Sequence, residues 1–227
     1  MLNQNNSESW DPTWEEIFRE EEWGKYPPEH VIRFVARRFY QAEDRKKIRI
    51  LDLGCGPGAC SWYIAREGFA LSGIDGSETA IRRCKQRLES EKLTGDLKVG
   101  DLGILDWPDN FFDAVIDNAA VYSNPFSSCK QIVKEVIRVL KPSGHFISSS
   151  FTTKTWGYGK GLQGNGKNEY LQVFEGPLKN RGFVLFFDEE QLNELISAFK
   201  QITINTLNST IQGGKYNIEL WIAECEK

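Results

Sequence analysis

The chain has 227 residues, of which 40% are hydrophobic and 26% charged, and its formal net charge is −4. That length suits one domain with decoration and a sizeable core, and the composition is that of a soluble globular protein. The acidic balance argues against a general nucleic-acid binder, though not against a local basic patch, and no apolar run is long enough to span a membrane.

The polar start, MLNQNNSES, reads as a mobile tail and not as a secretion signal. An aromatic, acidic stretch follows at 10–26, WDPTWEEIFREEEWGKY, with a short helix expected after Pro12. Residues 28–43 carry Val31, Ile32, Phe34, Val35 and Phe39 at helical spacing, with Arg33, Arg37 and Arg38 as a solvated face.

From there strands and helices alternate. Residues 48–53 read as a buried strand, and a helix begins near Gly58. Strands are expected at 69–74, up to Val99, at 112–116 and at 145–150. Ser77 is placed to cap a helix bearing Ile81, Cys84 and Leu88. Ser127 or Ser128 opens another helix, over Ile132, Val133, Val136, Ile137 and Leu140, which KPSG ends. This rhythm implies a mainly parallel sheet covered on both faces.

Residues 152–182 break the pattern. They are rich in glycine, carry Trp156, Tyr158 and Tyr170, and show little periodicity, so they read as a long covering loop. A helix over Leu192, Leu195, Ile196 and Phe199 and two strands near 201–208 and 217–225 complete the chain, with TIQGGKY as a hairpin turn.

The five cysteines (Cys55, Cys60, Cys84, Cys129 and Cys225) form no CxxC pair, and only His30 and His145 offer imidazole. Neither a zinc site nor a disulfide framework is expected, no metal is assigned, and a reducing cytoplasm fits.

The first strand runs into three alternate glycines, Gly54, Gly56 and Gly58. Glycine permits a tight turn and a close approach of main chain to a ligand, and the following helix offers oriented N–H groups. A dinucleotide site asks for G-x-G-x-x-G, whereas this chain has G-x-G-x-G with Asp52 ahead of it and Ala59 in the expected third place. Asp75 lies 21 residues beyond Gly54 and can accept ribose hydroxyls. Asp101 follows the third strand, placed to receive an adenine amino hydrogen, and Asp117 ends the fourth. Three acids at successive strand ends would line one rim of the sheet.

LDLGCGPG at 51–58, GIDGS at 73–77, GDL at 100–102, FDAVIDN at 112–118 and LKPSG at 140–144 together resemble the class I S-adenosylmethionine-dependent methyltransferases. The resemblance covers roughly residues 48–225 and implies an α/β fold: a three-layer α-β-α sandwich on a seven-stranded sheet, its last strand antiparallel between strands five and six. Residues 1–44 would then form a tail and helical lid, and 45–227 the cofactor-binding domain. The implied cofactor is S-adenosylmethionine, leaving as S-adenosylhomocysteine. Its contacts would fall on Asp52, Gly54, Cys55, Gly56 and Gly58, on Asp75, Gly76 and Ser77, and on Asp101 and Leu102. Asn118 would flank the transferring methyl.

Methyl transfer needs alignment of nucleophile, carbon and sulfur, and gains from a base. Asp117, His30 and Tyr122 are the candidate catalytic groups, with Glu169 a further possible base, and His145 reads as structural. The strand-four end reads DNAA, unlike the tetrapeptide of enzymes acting on planar amino groups, and Cys129 lacks the preceding proline of the pyrimidine C5 enzymes. Trp23 and Tyr26 from the lid, and Trp156 and Tyr158 from the long loop, are the candidate substrate-covering rings. The expected reaction is methylation of an oxygen or nitrogen of a small polar metabolite by a monomer or homodimer. An RNA or protein methyltransferase, using Arg33, Arg37, Arg38, Arg45, Lys46, Lys47 and Arg49 as a basic stripe, is the second reading. A non-catalytic nucleotide-binding module is the third.

Overall fold

The computed structural model describes residues 9–227; the expected tail falls almost wholly outside them. The buried apolar run at the first glycine turn forms β1 (Arg49–Leu53), whose Leu51 and Leu53 face one core while Ile50 faces another. Around it stand β2 (Ala70–Asp75), β3 (Asp96–Val99), β4 (Phe112–Asn118), β5 (Leu140–Phe151), β9 (Gln201–Ile211) and β10 (Tyr216–Glu226). They pair in the order β3-β2-β1-β4-β5-β10-β9. All neighbours from β3 to β5 are parallel, and β10 is antiparallel to both β5 and β9. This is the expected seven-stranded sheet with its last strand reversed.

Helices cover the two faces because their apolar stripes match the two cores. On one side lie α2 (Glu29–Phe39), α3 (Ala59–Arg66) and α4 (Glu78–Ser90), burying Phe34, Ile64 and Ile81. On the other lie α5 (Phe126–Val139) and α6 (Glu189–Ile196), burying Ile132, Val136 and Leu192. Helix α5 starts at Phe126, ahead of the expected serines: Pro125 enters extended, and Glu169 accepts from the Phe126 N–H. It ends at Val139, and residues 141–144 loop out where the β4–β5 register shifts.

Residues 152–182 are not the structureless loop expected. Together with Val184 and Leu185 they build a separate antiparallel sheet of β6 (Gly161–Gln163), β7 (Glu169–Val173) and β8 (Val184–Leu185), and Tyr170, Val173 and Leu178 enter the core. Strands of three, five and two residues are too short for a period-2 pattern to stand out.

The short helix after Pro12 is α1 (Thr13–Glu20), which packs against α4 at the carboxyl end of the parallel strands. The expected solvated face on α2 holds for Arg33, which pairs with Glu29. Arg37 and Arg38 instead both grip Glu224 of β10, tying α2 to the sheet.

Candidate functional site

At the carboxyl ends of β1, β2 and β4 lies a cavity with about 770 Å³ of empty space, its open mouth included. Its floor is the glycine turn with Asp52, Gly54, Cys55, Gly56, Asp75, Gly76 and Leu102; Asn118, Ala119 and Ala120 form one wall. Its roof is the segment before α2, contributing Ser9, Trp10, Asp11, Trp14, Phe18 and Trp23.

Each glycine of the turn has its own reason. Gly54, Gly56 and Gly58 all have positive φ. A Cβ on Gly54 would strike Ala120, and one on Gly58 would strike Cys84 of α4. These two glycines therefore serve packing, and Gly58 does not line the cavity. A Cβ on Gly56 meets only the edge of the Phe18 ring, at 3.4 Å, so this is the glycine whose bare face borders the cavity.

The acids divide similarly. Asp75 accepts from the N–H groups of Gly56 and Ser77, bracing the turn while it lines the cavity. Burial pushes its carboxyl up to about 6, against those hydrogen bonds. Burial likewise pushes Asp52 up to about 7, although the Ser61 hydroxyl donates to it. Asp101 is outside the lining: it takes the N–H groups of Ser9 and Gly103, while Leu102 lines the cavity. Ser77 also stays outside the lining; it caps α4 through the Ala80 N–H and donates to Glu15.

The four expected catalytic groups have separate fates. Asp117 is buried and fully engaged by the Ala120 and Val121 N–H groups and the Ser148 hydroxyl, so it shapes the turn after β4 and lines no part of the cavity. Tyr122 is buried edge-on to Phe151 outside the lining, and burial raises its phenol further from ionisation. Glu169 is occupied by the Phe126 and Gly166 N–H groups. His30, in the first turn of α2, has both ring nitrogens sealed from solvent beside the Asn118 side chain, whose contact offsets part of the effect of burial. Burial lowers its pKa, so the ring is neutral at pH 7.

Of the expected covering rings, Trp23 lines the cavity and the other three do not. Tyr26 is exposed and stands edge-on to Trp62. Trp156 stacks on Tyr216 with centroids 3.8 Å apart, and Tyr158 bonds Asn168 and packs against Phe186. The rings that do roof the cavity include Trp14 and Phe18, one helical turn apart on α1; with Trp23 they form a mutually tilted cluster at 5.3–5.8 Å. Their i,i+4 spacing on an otherwise acidic helix was the available signal for them. Ser123 and Asn124, also in the lining, carried no sequence signal.

The roof is pinned by Glu15, whose carboxylate accepts from the Ser77 and Thr79 hydroxyls and the Thr79 N–H at the start of α4. Burial works against this carboxyl, but the hydrogen bonds prevail and lower it to about 2. Asp11 accepts from the Phe183 N–H, and Trp14 donates to Ser123. Glu15→Ala is expected to cost roughly 1.5–3 kcal/mol, the range for a hydrogen bond to a charged group. Amide exchange across residues 13–20 should speed up accordingly. The wild-type contribution is present above the unfolded carboxyl range near 4.5 and fades as pH falls towards 2, so the variant and wild type should converge there.

A family model described as a methyltransferase domain matches residues 44–205. A sterol 24-C-methyltransferase of Aspergillus fumigatus is 29% identical over 189 residues, covering 71% of this chain and 50% of its own. A ubiquinone biosynthesis O-methyltransferase of Coxiella burnetii is 27% identical over 128 residues, covering 56% and 54%. The chain thus spans about half the length of these curated relatives. Among solved structures, an S-adenosylmethionine-dependent methyltransferase of Methanosarcina mazei superposes with a TM-score of 0.68 at 22% identity, covering 89% of this chain and 98% of that one. The 1,6-didemethyltoxoflavin-N1-methyltransferase of Burkholderia thailandensis, solved with S-adenosylhomocysteine, gives 0.61 at 16%, covering 88% and 77%. With the five sequence motifs, the β3-β2-β1-β4-β5-β10-β9 sheet and the matched domain in agreement, this chain belongs to the class I S-adenosylmethionine-dependent methyltransferases.

Proposed function

We propose that the protein methylates an oxygen or nitrogen of a small, polar, non-anionic metabolite held beneath α1. The observation that carries this reading is the charge of the lining: three acids, Asp11, Asp52 and Asp75, and no lysine, arginine or histidine among the described residues. An acceptor phosphate or carboxylate brought in beside the cofactor, which carries a carboxylate of its own, would lose its hydration without gaining a cationic side chain.

The cavity suits the cofactor. Gly56 offers open main chain, Gly54 and Cys55 would complete the turn for the methionine part, and Asp52 would offer a carboxyl oxygen to its ammonium. Asp75 with Gly76 would hold the ribose, and Leu102 would cover the adenine. When bound, the cofactor supplies a methyl carbon activated by a sulfonium. The chain's own task is to orient and to keep water out. Asn118 would flank the methyl, while Trp14, Phe18 and Trp23 exclude solvent and favour a cation at their faces. His30, sealed behind Asn118 and outside the lining, would help to set that side chain.

The RNA reading is weakened by ion pairs that engage five of the seven basic residues of the stripe. Arg33 pairs with Glu29, Arg37 and Arg38 with Glu224, Arg45 with Glu67, and Lys47 with Asp44, while the Arg49 guanidinium lies over Phe111. The test is transfer of labelled methyl to matched acceptors that differ only in charge. Neutral or amine acceptors should exceed their carboxylated or phosphorylated counterparts by at least about tenfold in kcat/KM, one decade being 1.4 kcal/mol. Preference for the anionic member would overturn the proposal.

A further inference from the structure

Strand β9 is out of keeping with the sheet it closes. An antiparallel strand ordinarily keeps at least one face covered. This one runs for eleven residues, QITINTLNSTI; nine of them are exposed and only Ile204 and Ile211 are half-buried. Its one sheet neighbour is β10, so its outer edge offers a row of free backbone groups. Ile202 and Leu207 stand exposed on opposite faces.

Long edge strands are usually protected by charges, proline or a bulge. In a chain that is 26% charged, β9 has no charged residue and no proline, and its register with β10 is unbroken from Gln201 to Ile211. An edge lacking every guard against pairing is built to be paired.

We propose that the occupant is a second copy of this chain, with β9 meeting β9 antiparallel across a two-fold axis at Thr206. That register alone pairs all eleven residues of both strands. It sets Ile202 opposite Thr210, Ile204 opposite Asn208, and Thr206 opposite its symmetry mate. Thr–Thr and β-branched pairs favour such ladders, and no like charges meet, the flanking Lys200 falling opposite Gln212. An isologous contact of this kind closes on itself and makes one continuous sheet through both molecules.

The axis residue supplies the test. Thr206→Lys places two ammonium groups face to face in the dimer, and Thr206→Glu two carboxylates, while either change is harmless on an exposed strand of a monomer. Sedimentation equilibrium should find the wild type dimeric at tens of micromolar and each variant weakened at least tenfold in self-association. An equimolar mixture of the two variants should recover the dimer by pairing lysine with glutamate. Circular dichroism of each variant confirms that the fold is retained. A monomeric wild type, a Thr206→Lys variant that remains dimeric, or a mixture that stays monomeric would each overturn the proposal.

Discussion

Asp75→Ala is expected to lower the affinity for S-adenosylhomocysteine at least about a hundredfold, measured by titration calorimetry. The carboxylate stands at the end of β2 and takes the Gly56 and Ser77 N–H groups, so it braces the glycine turn against the start of α4. It also lines the cavity where ribose hydroxyls would approach. Hydrogen bonds to a charged acceptor are worth roughly 1.5–3 kcal/mol each, and two of them exceed a factor of a hundred. Asp75→Asn keeps one acceptor oxygen and should fall between. The pH profile gives an independent check. With the free carboxyl pushed up to about 6, it is largely protonated at pH 5, and ionisation restores a stronger acceptor. Wild-type affinity should therefore rise from pH 5 to 7.5, and the Asp75→Ala profile should be flatter. Unchanged affinity in the alanine variant would remove Asp75 from the binding site.

Gly56→Val is expected to abolish cofactor binding while the protein stays folded. The residue sits at φ +51°, a region where a side chain costs roughly 1–2 kcal/mol and a β-branched one is worse placed still. Its new Cβ would stand 3.4 Å from the Phe18 ring, and the two methyls beyond must enter the cavity or push α1 away. Gly54→Ala is the instructive contrast, because its Cβ would collide with that of Ala120. That variant should lose thermal stability first and binding as a consequence. Calorimetry on folded Gly56→Val, verified by circular dichroism, separates the two; wild-type affinity there would mean that the ligand does not approach this stretch of main chain.

The sheet was legible because its strands are apolar and bounded by strong turn signals. Ile50, Leu51 and Leu53 are fully buried, and the acids at the strand ends sit where the sequence spacing put them. The reasons behind individual residues were less legible. Gly58 is bare for the sake of Cys84, a partner 26 positions away that no local pattern discloses. Asp117 and Asp75 look alike as strand-end carboxylates, yet one is consumed by the turn after β4 and the other borders the cavity. Trp156 and Tyr158 carried the composition of a lid but are engaged by Tyr216 and Phe186 instead. The true roof came from α1, whose rings reach the site only because Glu15 fastens that helix to α4.

That fastening carries a consequence for discrimination between nucleotides. The start of α4 is where a nucleotide bearing a 2′-phosphate would seek a positive partner, since the residues after the second strand of such sheets decide that choice. Here Asp75 guards the approach and Glu15 occupies the donors of Ser77 and Thr79. The protein has installed its own anion at the helix end, and a phosphorylated sugar would be turned away by two carboxylates before it met a single amide.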